Sequence, residues 1–135
     1  GMFEALVAWI KGREASGASK DEVEAAADLL VWTMFADGHI ATSEEETIES
    51  ELRLMGWSSP YSLDVYLHGS VARARRAIAD RASGDAYLAR CAERIKTPAM
   101  RARVLEACEK LAASDGNTSS RETDFLARLK AAFES

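Results

Sequence analysis

Carboxylates stand at two places in the chain where their charge is unwelcome. Asp37 precedes Gly38 and Asp115 precedes Gly116, each at the close of an apolar helical run. A helix C-terminus exposes unsatisfied carbonyls, so an added negative charge there is unfavourable by about 0.3 to 1 kcal/mol. The same breach occurs twice, and two accounts fit it. Asp-Gly is a good turn pair, because glycine takes left-handed angles and the Asp side chain accepts from backbone N–H groups two residues on. Alternatively, Asp37, Glu44 and Glu45 with Asp115, Asn117 and Glu122 offer oxygen ligands to a hard divalent cation such as calcium, magnesium or manganese. His39, beside Asp37, would admit zinc, although a loop histidine is more often solvated. An EF-hand is excluded by counting: with Asp37 or Asp115 at loop position one, position twelve falls on Ile48 or Leu126, and position six on Thr42 or Ser120.

A second concentration of chemistry is basic. Between residues 71 and 103 lie Arg73, Arg75, Arg76, Arg81, Arg90, Arg94, Lys96, Arg101 and Arg103, against Asp80, Asp85 and Glu93. The run reads either as exposed helix faces partly paired with the acidic remainder, or as a docking face for an acidic protein partner or an anionic membrane surface, led by Arg73, Arg75 and Arg76. Nucleic acid is not expected. The net charge is -5, and Tyr87 alone among aromatic residues interleaves with these arginines.

Catalytic arrangements fare worse. His68 and Ser70 are two apart and would not share a helix face, and no phosphate-cradling GxGxxG or GxxxxGK[ST] occurs. Cys91 and Cys108 lack any zinc-type spacing and read as buried thiols. A non-enzymatic protein is expected.

The elements that must position these residues are helices. The chain has 25 alanines and two prolines in 135 residues, and nowhere alternates apolar with polar residues as a half-buried strand would. Phe3, Leu6, Val7 and Ile10 hold helical spacing, and Ser19 with Glu22 forms a capping box that starts a second helix running to Asp37-Gly38. The acids after Thr42 suit the first turn of a third helix, ending at Gly56. Ser59-Pro60 starts a short helix expected to break or kink at His68-Gly69-Ser70, and Ser83-Gly84 is expected to divide the helices of Val71–Ala82 and Asp85–Lys96. Thr97-Pro98 opens a long helix that Asp115-Gly116 closes, and Ser119 with Glu122 caps the last one. The expected architecture is all-α, a compact bundle of seven to eight helices forming one domain over residues 2–135, with Gly1 a remnant of tag removal. No apolar run approaches the roughly 18 residues that would span a bilayer, and the first residues show no basic region followed by a continuous apolar stretch, so a soluble, cytoplasmic protein is expected.

The two Asp-Gly segments repeat one plan. Allowing one extra residue in the first turn, Thr42 matches Ser119, Glu45 matches Glu122, Ile48 matches Phe125 and Leu52 matches Leu129. Such a duplication lets two helical units face each other about a pseudo-twofold axis.

On these residues, Ala36-Asp37-Gly38-His39-Ile40 with its following acids and the second copy leading into Glu122-Thr123-Asp124-Phe125-Leu126-Ala127-Arg128-Leu129, the chain resembles the TerB-like family. These helical domains are named after a tellurite resistance protein and are akin to the N-terminal domain of certain membrane-bound DnaJ-type co-chaperones. The resemblance covers the chain from about Ser19 to Phe133. It implies an all-α bundle whose paired acidic residues gather at one end and bind a divalent metal ion, a link to stress from tellurite or other oxyanions, and no catalysis. The alternative is a metal-independent interaction scaffold that docks through its arginine-rich helices on a membrane-associated or chaperone-type assembly. The sequence departs from the family pattern where Ala41 lengthens the first turn and where Asn117-Thr118 follows the second Asp-Gly.

Overall fold

From Ala25 to Phe35, every residue of one helix is withdrawn from solvent. A helix apolar on all sides has no solvent face and must be surrounded, and the computed structural model shows what surrounds it. The model describes residues 20–35, 63–113 and 120–134. Five helices are formed there: α1 (Lys20–Phe35), α2 (Leu63–Ile78), α3 (Arg81–Arg94), α4 (Pro98–Ala112) and α5 (Ser120–Glu134), with no strand among the described residues. Helix α1 packs on α2, α3 and α4; α2 lies against α3, and α5 packs on α3 and α4. The core brings Leu29, Leu30 and Trp32 of α1 together with Leu67, Leu88, Ile95, Val104, Phe125 and Leu129. Trp32 stacks on Tyr87 at 5.3 Å and on Phe125 at 5.7 Å between ring centroids, so one aromatic tier joins α1, α3 and α5.

The all-helical expectation is met. Of the seven to eight helices expected, those placed near Phe3 and after Thr42 lie outside the described residues, as do the first copy of the repeat and the Asp115-Gly116 turn. Two expected boundaries are corrected. His68-Gly69-Ser70 neither breaks nor ends a helix, since α2 runs through it. Ser70 is fully buried, and its hydroxyl is bonded across to α1, so the glycine's modest helix penalty is offset by tertiary contacts. Likewise Ser83-Gly84 lies inside α3, and the chain turns three residues earlier. Asp80 takes extended angles (φ -148°, ψ 160°), and its carboxylate accepts from the Ser83 amide at 2.8 Å and the Ser83 hydroxyl at 2.8 Å. The serine read as a helix divider is therefore the third residue of the helix that Asp80 caps. Gly84 serves a different end: a Cβ there would meet Trp32 Cη2 at 3.0 Å and the Ala77 carbonyl at 3.2 Å, so α2 and the indole approach α3 through the missing side chain.

Helix α4 begins where Thr97-Pro98 predicts. The Thr97 hydroxyl accepts from the Met100 amide at 3.1 Å, a side-chain cap with proline at the first helical position. Arg101 then ties helix ends together, donating to the carbonyls of Ile95 (2.8 Å), Ala92 (3.1 Å) and Phe133 (2.7 Å). None of the described helices is long and apolar enough to cross a membrane.

Candidate functional site

Asp28 is the group that sequence reasoning missed. It lies in the middle of the buried helix α1 and is 1% exposed. A buried carboxylate is tolerated only when it is paired and its lone pairs are satisfied. Helix α2 supplies three partners from positions i, i+4 and i+7, which fall on one helical face. The Ser70 hydroxyl donates to Oδ1 at 2.6 Å and Arg73 Nη2 to the same oxygen at 2.9 Å. The Tyr66 hydroxyl lies 2.9 Å from Oδ2 and 3.0 Å from the Glu24 carbonyl, its proton shared between them. Helix α3 adds Arg94, whose Nη1 donates to Oδ2 at 3.1 Å while its Nε reaches Asp21 at 3.0 Å. Asp21, Glu24 and Asp28 thus form an acidic ladder along α1 that faces Arg94.

Four donors occupy the acceptor positions of one carboxylate. These bonds tie the Asp28 carboxylate to both neighbouring helices, so the cluster is a strut joining α1 to the α2–α3 hairpin. Its field reaches the surrounding groups. Burial, reinforced by the Asp28 charge, drives the hydroxyls of Tyr66 and Tyr87 well above the ordinary tyrosine range. Burial works against the Arg73 guanidinium, but the charge and hydrogen bond of Asp28 outweigh it and hold the group firmly protonated. Burial also pushes the thiols of Cys91 and Cys108 up to about 12, which makes them poor nucleophiles and agrees with their reading as buried thiols.

The nominated metal ligands divide by position. Asp37, Glu44, Glu45, Asp115 and Asn117 lie outside the described residues. Glu122 sits in the first turn of α5 and is 2% exposed, a buried acid at a helix N-terminus. Among the described residues, no group of three or more His, Cys, Asp or Glu side chains could hold a metal ion.

The nominated arginines are all described. Arg73 is anchored to Asp28, while Arg75 and Arg76 are exposed in the last turn of α2, where cations complement the helix dipole. Several members of the basic run turn out to be structural. Arg94 joins the Asp28 cluster, Arg101 caps helix ends, and Arg81 lies 3.6 Å from Asp124. Arg73, Arg76 and Arg90 instead converge on a cavity of about 360 Å³ between α2 and α3, with Ser83 and Tyr87 also in its wall. Among the described residues, no carboxylate lines this cavity. The Arg90 guanidinium stands over the Tyr87 ring, 6.0 Å from its centroid, and the buried Tyr87 hydroxyl has no hydrogen-bond partner among the described residues. The signal for this convergence was available in the spacing, since Arg73, Arg76 and Ala77 follow an i, i+3, i+4 pattern and Ser83, Tyr87 and Arg90 an i, i+4, i+7 pattern.

No curated protein and no solved structure matches the chain. A family model described as tellurite resistance protein TerB matches residues 22–134, a stretch that takes in all five described helices but for the first two residues of α1. With a helical fold and a match over most of its length, the chain belongs to the TerB family.

Proposed function

We propose that this TerB-family chain is a non-enzymatic, cytoplasmic, bacterial interaction module that docks an acidic protein partner through the arginine-bearing face of α2 and α3. One observation carries the reading: Arg73, Arg76 and Arg90, from two helices, line one concavity to which no described residue adds a carboxylate. The larger cavity, about 470 Å³ near Trp32 and Phe125, has its charges matched instead, through Arg81 with Asp124 and Arg128 with Asp85 and Asp124. Complementary charge would steer the partner and set its register. The assembly served is of a membrane-associated or chaperone type, and the link to tellurite or oxyanion stress rests on the family's description. Binding of a fluorescent glutamate-rich peptide tests the reading. Wild type is expected to bind it with an affinity that falls steeply with salt, and the triple reversal Arg75→Glu, Arg76→Glu, Arg90→Glu to lose it. Arg73 is left in place because the fold depends on it. Equal binding by wild type and the reversal variant would refute the docking face.

A second reading is favoured by Glu122, an acid held in the interior at the start of α5. In it, Asp37, Glu44, Glu45, Asp115, Asn117 and Glu122 bind a divalent cation at two acidic turns brought together by a pseudo-twofold pairing of helical units within a bundle of seven to eight helices. Calorimetric titration of calcium, magnesium, manganese and zinc into wild type and into the Asp37→Asn, Asp115→Asn variant decides it. No heat with any ion would end the metal reading.

A further inference from the structure

We propose that the cavity between α2 and α3 is a binding site for a phosphate monoester, carried on a side chain of the acidic partner and gripped by Arg76 and Arg90. The inference rests on the docking reading and names the group that the pocket selects. Arg76 of α2 and Arg90 of α3 line the same space, and no ion pair joins either guanidinium to a carboxylate of the described residues. Arg73 lines it too, so three cationic side chains share one concavity, and like charges brought together repel one another. An anion seated between them converts that repulsion to attraction. Arg73 is a positioning residue here: its Nη2 is spent on Asp28, and it contributes field rather than a free fork. Arg76 and Arg90 supply the forks.

A carboxylate on the partner would satisfy one fork. A phosphate monoester carries about -1.5 to -2 charges and three acceptor oxygens at neutral pH, which matches two forks with a third cation lining the same space. Tyr87 adds a second, independent indication. The residue is 5% exposed and forms part of the wall, and its buried hydroxyl has no hydrogen-bond partner among the described residues; its ring holds Arg90 by a cation–π contact. The nearby acids are turned to other tasks, Asp80 capping α3 through Ser83 and Asp85 held by Arg128 at 2.7 Å. At about 360 Å³, the cavity has room for roughly a dozen waters, enough for a phosphoryl group and the first atoms of its carrier.

The test uses one short glutamate-rich peptide made twice, with serine and with phosphoserine at its centre, titrated into the full chain while amide signals are followed by NMR. The phosphopeptide is expected to bind about tenfold tighter or better, moving signals in α2 and α3 around Arg76, Ser83 and Arg90. The Arg76→Gln, Arg90→Gln variant is expected to erase that difference while keeping the urea midpoint of wild type. Tyr87→Phe is expected to weaken the phosphopeptide alone. If both peptides bind equally well, the phosphate pocket falls and the docking face survives. Should neither bind, both fall. A preference that persists in the glutamine variant overturns the pocket, as does binding only to vesicles of phosphatidic acid and phosphatidylcholine, which would assign the arginines to a membrane.

Discussion

Replacing Asp28 by Asn is the most direct challenge to the buried strut. The substitution keeps size and one carbonyl oxygen, so Ser70 and Arg73 can still donate to Oδ1. At the other position an NH₂ group would confront Arg94 Nη1, now 3.1 Å from Oδ2, and two donors would face each other. Removing one partner of a buried ion pair costs about 3 to 5 kcal/mol. The Arg73 and Arg94 side chains retain 37% and 30% of their exposure, so water takes up part of the uncompensated charge and Arg94 keeps Asp21. The low end, about 3 kcal/mol, is therefore expected. Against a total stability of about 5 to 15 kcal/mol this is a large fraction. Urea unfolding followed by circular dichroism should show a midpoint lower by about 1.5 to 2 M with an unchanged slope, and a thermal midpoint lower by about 10 °C. A double-mutant cycle of Asp28→Asn with Arg73→Met should give a coupling of about 1 kcal/mol or more. A loss below about 1 kcal/mol for Asp28→Asn alone, with no coupling, would refute the strut.

Further expectations concern the glycines and the buried titratable groups. Gly84→Ala should lower the urea midpoint, because a methyl 3.0 Å from Trp32 and 3.2 Å from the Ala77 carbonyl costs about 1 to 3 kcal/mol, more than the roughly 1 kcal/mol helix gain of alanine; a raised midpoint would contradict the close approach. Gly69→Ala meets only the tip of Arg73 at 3.1 Å, and the helix gain should leave the protein as stable as wild type or more so. With thiols pushed up to about 12, Cys91 and Cys108 should hold about a thousandth of the thiolate of an ordinary cysteine at pH 8, so iodoacetamide should label them only after unfolding by urea; rapid labelling of the native protein would contradict it. For Tyr66 and Tyr87, folded-state pKa values raised by burial and by Asp28 mean stability fully present below about pH 10 and lost as alkali ionises the unfolded form. Absorbance at about 295 nm should therefore show both tyrosines ionising together with loss of helicity, not before it.

What was legible in the sequence was the punctuation at helix starts. Thr97-Pro98 marks the entry to α4 because the first turn of a helix lacks internal acceptors for its N–H groups, and that need is local; the caps expected at Ser19 and Ser119 lie outside the described residues. Glycine was misleading for the converse reason. Gly69 and Gly84 look like breakers in one dimension, yet what crowds a side chain at Gly84 includes Trp32 and Arg128, both distant in the chain. Asp28 was missed because a charge in a helical run looks the same whether it is solvated or buried, and its partners are 38 to 66 residues away. The total of nearby positive charge was visible, but the division of the arginines between strut, helix cap and cavity depends on which face of each helix turns inward. The repeated acidic turns, the most conspicuous chemistry in the sequence, lie outside the described residues save for Glu122.

The burial of α1 on every side from Ala25 to Phe35 leaves a problem that hydrophobicity cannot solve. Apolar attraction has no direction, so a helix greasy on every side can spin about its own axis with little change in buried area. Asp28 settles the angle. A turn of one residue, about 100° on a helical wheel of 3.6 residues per turn, would carry the carboxylate away from Tyr66, Ser70, Arg73 and Arg94 and strand it without donors. The same angle aims Trp32 at Tyr87 and Phe125, and through Tyr87 it holds the ring on which Arg90 rests. A single acid at the centre of the molecule thus acts as a rotational key, and the arginines that meet the solvent inherit their aim from it.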